Sequence, residues 1–598
     1  MDNQMSLNRS NLKMLTKLLF RLLPVQILLS AVSAVNGIVS SYFANNFVGV
    51  NAMSAVGLYS PLNMLVSAFS YILVSGSVIL CGQYMGKNRQ QDVQKVFSLS
   101  MILTVLTGLV FTVLFFLLGV SNMTGFITRD PLVKPLFNRY LIGQAIGVIP
   151  LLLGNSFASF LSLENKGKIT LSASAVYIVV NVLLNYVFVI LLRMNELGLA
   201  LASSIGMWFY AAAQAVFLFS GRSIFHFSAG HIEWSESGAI ILIGLPGALT
   251  YVYQTARGLI VNSLLEAHIG AVAISAFATS DYVMRIFWAI PTGMIAVSRM
   301  MMSVAAGEED RQTLADVMRV MFRRFIPLMC TVCAVIILCA VPFTRIFYHD
   351  PAEPVFNMTV LAFRILPFCM PLSIICMHFT CYGQISGKQV LVHLLSILDG
   401  VVCVAGFTAL LISALGIRSV YLANVLNGVV TTLVIIIYSW VRNGHFPKDM
   451  EELMVIPDDF GVPEDQRMDI SLHSMEEVVS VAENVQSFCL SHGIDARRSN
   501  LSGLAMEEMA GNIIDHGFTK DHKKHSVDIR VVHKDHDVIL RIKDDCVPFD
   551  PGERLRMTAG TAAEDDPMKN IGIRMVYNIA GDIQYQNVLG LNVLTLKI

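Results

Sequence analysis

Three short stretches near the end of the chain hold residues that could act on one ligand. Glu508 and Asn512 stand four apart in a run, Asn500 to His516, patterned as a helix. A carboxylate and an amide then face the same way and can serve one site. Asp544 closes a strand and begins the run Asp544-Asp-Cys-Val-Pro-Phe-Asp-Pro, which contains Pro548. An acid there can accept a hydrogen bond from an exocyclic amine. Lys569-Asn570-Ile-Gly572-Ile-Arg574 opens a helix at a glycine, and N–H groups at a helix start hold phosphate.

A second set of polar residues lies in apolar surroundings, where such side chains are costly and mark pathways or ion sites. It comprises Asn36, Asn181, Asn185, Gln254, Arg257, Asp281, Arg285, Arg364, His378, His393 and Asp399. Asn181 and Asn185 share a helix face. Amides can hydrogen-bond a substrate or coordinate a cation, but they cannot hold and release a proton. Asp281 and Arg285, four apart, read as an internal ion pair. Asp399 has no opposite charge nearby in sequence and is the best candidate for binding a cation or proton. The alternative for it is a partnership with Arg257 or Arg364 across helices. His378 and His393 lie near span ends and read as capped or interfacial.

The elements that must position these residues are of two kinds. The 598-residue chain is 55% hydrophobic and only 14% charged, with a mean hydropathy of +0.62, far from the roughly one-quarter charge of soluble domains. The excess apolar residues form twelve runs, each near the ~20 residues that cross a bilayer. They lie near 17–43, 53–79, 95–121, 137–163, 168–193 and 197–221, then 240–265, 270–298, 318–344, 356–383, 389–414 and 418–442. The two sets are one unit written twice. At a fixed offset Gly37 meets Gly258, Gly49 meets Gly270, and Gly86 (GKNRQQDV) meets Gly307 (GEEDRQTL); one residue less pairs Asp130-Pro131 with Asp350-Pro351 and Gly167-Lys168 with Gly387-Lys388. Such long-period repetition means two halves around a central pathway.

Lys87, Arg89, Lys95, Lys166, Lys168, Arg222, Arg311, Arg319, Arg323, Arg324 and Lys388 crowd the even-to-odd loops. By the positive-inside rule both termini are cytoplasmic. No small-residue cleavage site follows a short apolar core at the start, so the first span is expected to stay in the mature protein. Cys330 and Cys333 form a CxxC within an apolar helix, without the polar pocket or second ligand pair that a metal or redox site needs. The net charge of −1 averages two unlike regions and points to no partner; nucleic acid is not expected.

The repeat, the GLPGAL opening of the seventh span and the GKNRQQDVQKV loop resemble the multidrug and toxic compound extrusion (MATE) family over roughly residues 10–445. The resemblance implies repeats at 10–221 and 235–443, two six-helix bundles around a central cavity, and export of organic cations or drugs in exchange for H+ or Na+. The chain departs from the family at its usual acids: Asn36 stands in the first span, Asn185 follows Asn181 in the fifth, and Gln254 lies eight residues after Pro246 in the seventh. The expected transport pathway therefore comprises Asn36, Asn181, Asn185, Gln254, Arg257, Asp281 and Asp399.

Beyond 443 a Pro- and acid-rich stretch, 444–467, reads as a linker or a loosely packed lead-in. From 468 to 598 helices and antiparallel strands alternate in segregated runs, the pattern of an α+β sandwich. Its three motifs, in this order, resemble the GHKL-type ATP-binding fold, closest to the anti-sigma-factor serine kinases. The resemblance implies ATP with Mg²⁺ held by Asn512, a nucleophile positioned or activated by Glu508, and adenine read by Asp544 beside Pro548. It also implies phosphates met by Asn570, Gly572 and Arg574, and a mobile lid over 551–569. Cys546 and Asn570 stand where that family has glycines. The chain has no GxxxxGK[ST] run.

The expected architecture is thus a twelve-span membrane bundle followed by a GHKL-type domain. The function expected is a secondary transporter of a small organic substrate in the lipid bilayer of a bacterial-type cell membrane, regulated by its ATP-binding tail. The alternative is a membrane sensor whose tail acts as a serine/threonine kinase or as a partner-switching module with a cytoplasmic protein partner.

Overall fold

A computed structural model of the chain describes residues 14–31, 43, 47–48, 50–128, 130–228, 230, 232–348, 350–518, 525–534, 537–558 and 571–598. Among the described residues, twelve helices are long and apolar enough to cross a membrane. In the first half they are α1 (Met14–Ala31), α2 (Val50–Gly86), α3 (Gln90–Val120), α4 (Val133–Leu163), α5 (Gly167–Asn185, continued as a π turn to Leu191) and α6 (Asn195–Leu218). The second half opens with α7 (Glu236–His268). Next come α8 (Ala271–Phe287) and α9 (Ala289–Gly307), separated only by Trp288. Then follow α10 (Arg311–Val320) with α11 (Ile326–Leu338), the short α12 (Ala340–Arg345), α13 (Pro354–Ile365) with α14 (Cys369–Ile385), α15 (Gln389–Ile397) with α16 (Cys403–Leu415), and α17 (Arg418–Asn443).

The repeat read from the sequence is a repeat of elements. Helix starts at Val50, Gln90 and Val133 recur at Ala271, Arg311 and Pro354 with one and the same separation, and the ends Gly86 and Gly307 keep it too. The eighth run, expected to end near 298, continues to Gly307; the polar Ser298, Arg299 and Ser303 ended the apolar pattern early, yet Ser298 and Ser303 are buried in the fold.

At the end that carries Gly86 and Gly307 the halves meet backbone to backbone, and they stay in contact toward the middle of α2 and α7, at Gly76 and Ile240, Gly244 and Ile72, and Met64 and Thr255. At a Gly86 bearing a side chain, Cβ would lie 2.3 Å from the Val304 carbonyl oxygen, and at Gly307 only 2.0 Å from that of Gln83. The two backbones touch there, which only glycine permits. Gln83 also donates to the Ile385 carbonyl at 3.0 Å and Tyr84 to Glu236 at 2.8 Å. A continuous apolar core crosses between the halves at this end, joining Ile79 and Phe97 to Met302 and Met318. At the far end the first half keeps a core of its own, around Phe115, Phe137 and Leu141. Gly57 and Gly258 have open space beside them there.

The stretch 444–467 is packed against the closed end. A short helix, α18 (Met450–Met454), buries Met454 in the bundle's core, and Ile456 just after it joins the same core. Arg311 binds Glu451 at 2.6 Å and the Pro457 carbonyl at 2.7 Å.

The tail forms one five-stranded antiparallel sheet with strand order β1-β2-β3-β5-β4: β1 (Arg467–Leu472), β2 (Val527–Lys534), β3 (Asp537–Asp544), β4 (Asp582–Val588) and β5 (Leu591–Lys597). Helices α19 (Glu476–Ser491), α20 (Ala496–Asn512, continued as a π turn to Gly517), α21 (Pro551–Thr558) and α22 (Ile571–Ile579) complete it. One sheet face packs Ile529, Val531, Leu540, Ile542 and Leu596 against Val485, Met506 and Val576. The other face is covered by the bundle: Val588, Leu589 and Val593 belong to the bundle's core.

Candidate functional site

Local sequence dictates the frame of the tail site. The Asp495 side chain caps α20 by accepting from the Arg498 N–H, and three turns on, Glu508 and Asn512 project together. The Asn512 amide donates to Glu508 Oε1 at 2.8 Å. Gly572, in the first turn of α22, lies against that carboxylate: a Cβ there would stand 1.7 Å from Glu508 Oε1. The helix start that would meet phosphate thus adjoins the carboxylate–amide pair.

Asp544 ends β3 with its side chain on the helix-covered face and buried. Its Oδ1 accepts from the Cys546 N–H at 2.9 Å and the Asn592 amide at 2.8 Å. Burial pushes its carboxyl above the usual range, against those hydrogen bonds. Tyr585 steadies Asn592, donating to Asn592 Oδ1 at 2.9 Å, and accepts from the Phe549 N–H at 3.1 Å. Cys546 packs against Gly517 at the end of the π turn after Asn512, so the strand end and the helix end adjoin. Pro548 is exposed beside them and Arg574 half-buried. The sequence reading missed Asn592 and Tyr585, because a hairpin asparagine and a strand tyrosine carry no local signal of an Asp544 partnership. Asn570, Lys569 and most of the expected lid lie outside the described residues.

The donor set fits a Mg²⁺-bound nucleotide. An amide oxygen with waters is a normal Mg²⁺ environment, and the Cβ-free approach of Gly572 to Glu508 is where backbone must come close. His525, Asp545 and Cys546 also gather beside this site. Asp545 accepts from His525 at 3.1 Å and from the Ser526 N–H at 3.2 Å, and it pairs with Lys17 of α1. Burial works against its charge, but Lys17 and the Ser526 N–H hold the carboxyl below the usual range.

In the bundle, Asn181 and Asn185 are buried; the Asn185 amide donates to Asn181 Oδ1 at 2.6 Å, and Asn181 reaches Ser203 at 3.4 Å. Asp281 and Arg285 form the expected pair at 3.0 Å, half exposed. Arg257 donates to the backbone carbonyl of Asp399 at 3.3 Å. The Asp399 carboxylate instead accepts from Asn427 at 2.7 Å, on a π-helical turn, Leu398–Val402, a distortion common at functional sites. Gln254 and Arg364 are exposed, and Asn36 lies outside the described residues. His378 is capped on both ring nitrogens, by Ser298 at 2.9 Å and the Ile374 carbonyl at 2.8 Å.

The sequence reading also missed Arg299. It hydrogen-bonds the Tyr71 hydroxyl and lies 5.1 Å over the Tyr71 ring, joining α9 of the second half to the middle of α2 in the first. Its signal was a cation inside the apolar run SRMMMS.

Comparison with known proteins matches residues 26–187 to the MatE family model and residues 472–598 to that of the histidine kinase-like ATPase domain. Protein DETOXIFICATION 30 of Arabidopsis thaliana is 26% identical over 241 residues, 38% of this chain and 47% of that protein. Probable multidrug resistance protein NorM of Halalkalibacterium halodurans is 23% identical over 252 residues, 39% of this chain and 53% of that one. The chain spans about half the length of these curated relatives. Among solved structures, an outward-facing multidrug resistance MATE family transporter of the MOP superfamily superposes with a TM-score of 0.68 at 19% identity, covering 74% of this chain and 97% of that one. A MATE in complex with MaD3S gives 0.67 with the same identity and coverage. At that identity the likeness is one of fold.

Proposed function

From a MatE domain joined in one chain to a histidine kinase-like ATPase domain, we propose a secondary transporter of small organic compounds, driven by H+ or Na+ and regulated by nucleotide bound to its tail. The observation that carries this reading is the two-fold bundle, whose halves meet backbone to backbone at Gly86 and Gly307 and which buries polar groups such as Asn181 and Asn185 within its spans. A fixed site between two repeats that rock against each other is how such folds move substrates. The basic loops stand at the Gly86 and Gly307 end with the tail, which supports a cytoplasmic location for both. At Asp399 a cation or proton would meet a carboxylate held by Asn427. In the tail, Asn512 would hold Mg²⁺, Asp544 would accept from the adenine amine, and Glu508 would act on a nucleophile.

A second reading is favoured by one observation. Asn181, Asn185 and Gln254 are amides, which cannot carry a proton, so a bundle that senses a compound and signals through a kinase-like or partner-switching tail fits them.

Gradient-driven dye uptake in proteoliposomes tests the first reading. Asp399→Asn is expected to abolish uptake while the protein still inserts and folds. Uptake unchanged in Asp399→Asn would return Asp399 to a structural role, and no uptake by the unaltered chain under either gradient would favour the sensor.

A further inference from the structure

Side-chain alternation in the tail's strands splits its chemistry between two faces. In β3, Leu540, Ile542 and Asp544 point to the helices and the nucleotide site, while Arg541 and Lys543 point to the bundle. They converge on Glu308, whose side chain is 2% exposed: Lys543 at 2.6 Å and Arg541 at 3.8 Å. From β2, Arg530 pairs with buried Asp310 while also binding Asp469 at 2.6 Å, and Lys534 pairs with Glu309 at 2.7 Å. Burial alone would raise the Asp310 carboxyl, but Arg530 and Lys543 hold it well below the usual range. Every acid of the Glu308-Glu309-Asp310 loop, at the end of the second half's α9, is therefore matched by a tail cation.

The same sheet grips the first half. Gln586 donates to the Met85 carbonyl at 2.7 Å. Gly590, in the β4–β5 turn at φ +80°, leaves only 2.1 Å between an added Cβ and the Asn165 amide. Lys17 of α1 pairs with Asp545. One rigid sheet thus touches the α1, α2 and α4 ends of one half and the α9 end of the other, over the line where Gly86 and Gly307 close the bundle.

We propose that the tail is a lock: docked through the outward face of its sheet on both halves at once, it holds the bundle shut at the tail-side end, and it must lift before that end can open. The proposal rests on the reading of the bundle as a transporter whose halves part alternately at each end. Buried ion pairs suit a lock better than an apolar joint, since losing one partner leaves an uncompensated buried charge and makes release abrupt. Lys543 and Asp544 are consecutive, one on each face of β3, so nucleotide at Asp544 acts on the strand that carries the latch.

Hydrogen–deuterium exchange of the full chain in lipid nanodiscs tests this without requiring transport. Glu308→Lys and, separately, Lys543→Glu are expected to speed exchange at least about tenfold in residues 83–90 and 303–311 as well as in strands β2 and β3. The double variant, with the charges swapped, is expected to restore protection, which a misfolded protein would not do. Faster exchange confined to the tail, with 83–90 and 303–311 as protected as before, would overturn the lock. So would failure of the swap to restore protection. A chain that moves no dye in liposomes but passes the exchange test would sink the transporter reading alone.

Discussion

Asp544, Asn512 and Glu508 make separable claims. Asn512→Ala should remove the Mg²⁺ dependence and most of the ATP affinity, because the proposed protein ligand of the metal is gone. Asp544→Asn should lower the preference for ATP over GTP by roughly tenfold, because the new amide offers a donor to the guanine carbonyl where the carboxylate accepted from adenine. Calorimetric titration of both variants checks this; equal ATP binding in all three proteins would remove the assignment. The meeting of Glu508 and Asn512 was legible because it follows from their local spacing. Asn592, Tyr585, Asn427 and Arg299 were not. Each acts on a partner from a distant part of the chain, Asn592 on Asp544 and Asn427 on Asp399, and no local pattern encodes such a meeting. The expected cross-helix link of Arg257 to Asp399 exists, but through a backbone oxygen, which sequence does not distinguish from the carboxylate.

At the scale of elements, the helix read over Asn500 to His516 is found as α20 with its π turn, Ala496 to Gly517, since such an element is set by its own hydrophobic period, whereas the start of the stretch read as a lid is the helix α21. What alternation concealed was that the sheet is covered on both faces. Its outward residues are charged, as on a solvated face, and only their partners on the Glu308–Asp310 loop make them a joint. The stretch 444–467 shows the same limit: prolines and acids suggest a linker or loosely packed lead-in, and only the structure shows Arg311 holding it at Glu451 and Pro457. The α20–α22 contact offers a direct test. Gly572→Ala would drive a methyl into Glu508. It should push the half-buried Glu508 carboxylate off the Asn512 amide and weaken nucleotide binding, with a smaller loss of thermal stability. A thermal melt and titration unchanged from the parent would show that the two helices do not meet as described.

On the scale of the whole molecule, the repeat was the most legible feature, because two copies of one hydrophobic pattern at a fixed separation specify two copies of one bundle. The state of that bundle was not legible. Closure at the tail side depends on which backbones touch, as they do at Gly86 and Gly307. The central claim joins both parts of the chain: nucleotide on the tail governs movement through the bundle. Dye uptake into proteoliposomes, driven by a cation gradient and measured with and without ATP and Mg²⁺ on the tail side, tests it most directly. The account predicts that nucleotide changes the uptake rate by about fivefold or more, as coupling of 1–3 kcal/mol implies, and that Asn512→Ala transports but no longer responds. Uptake that is the same with and without nucleotide in the unaltered chain would contradict it.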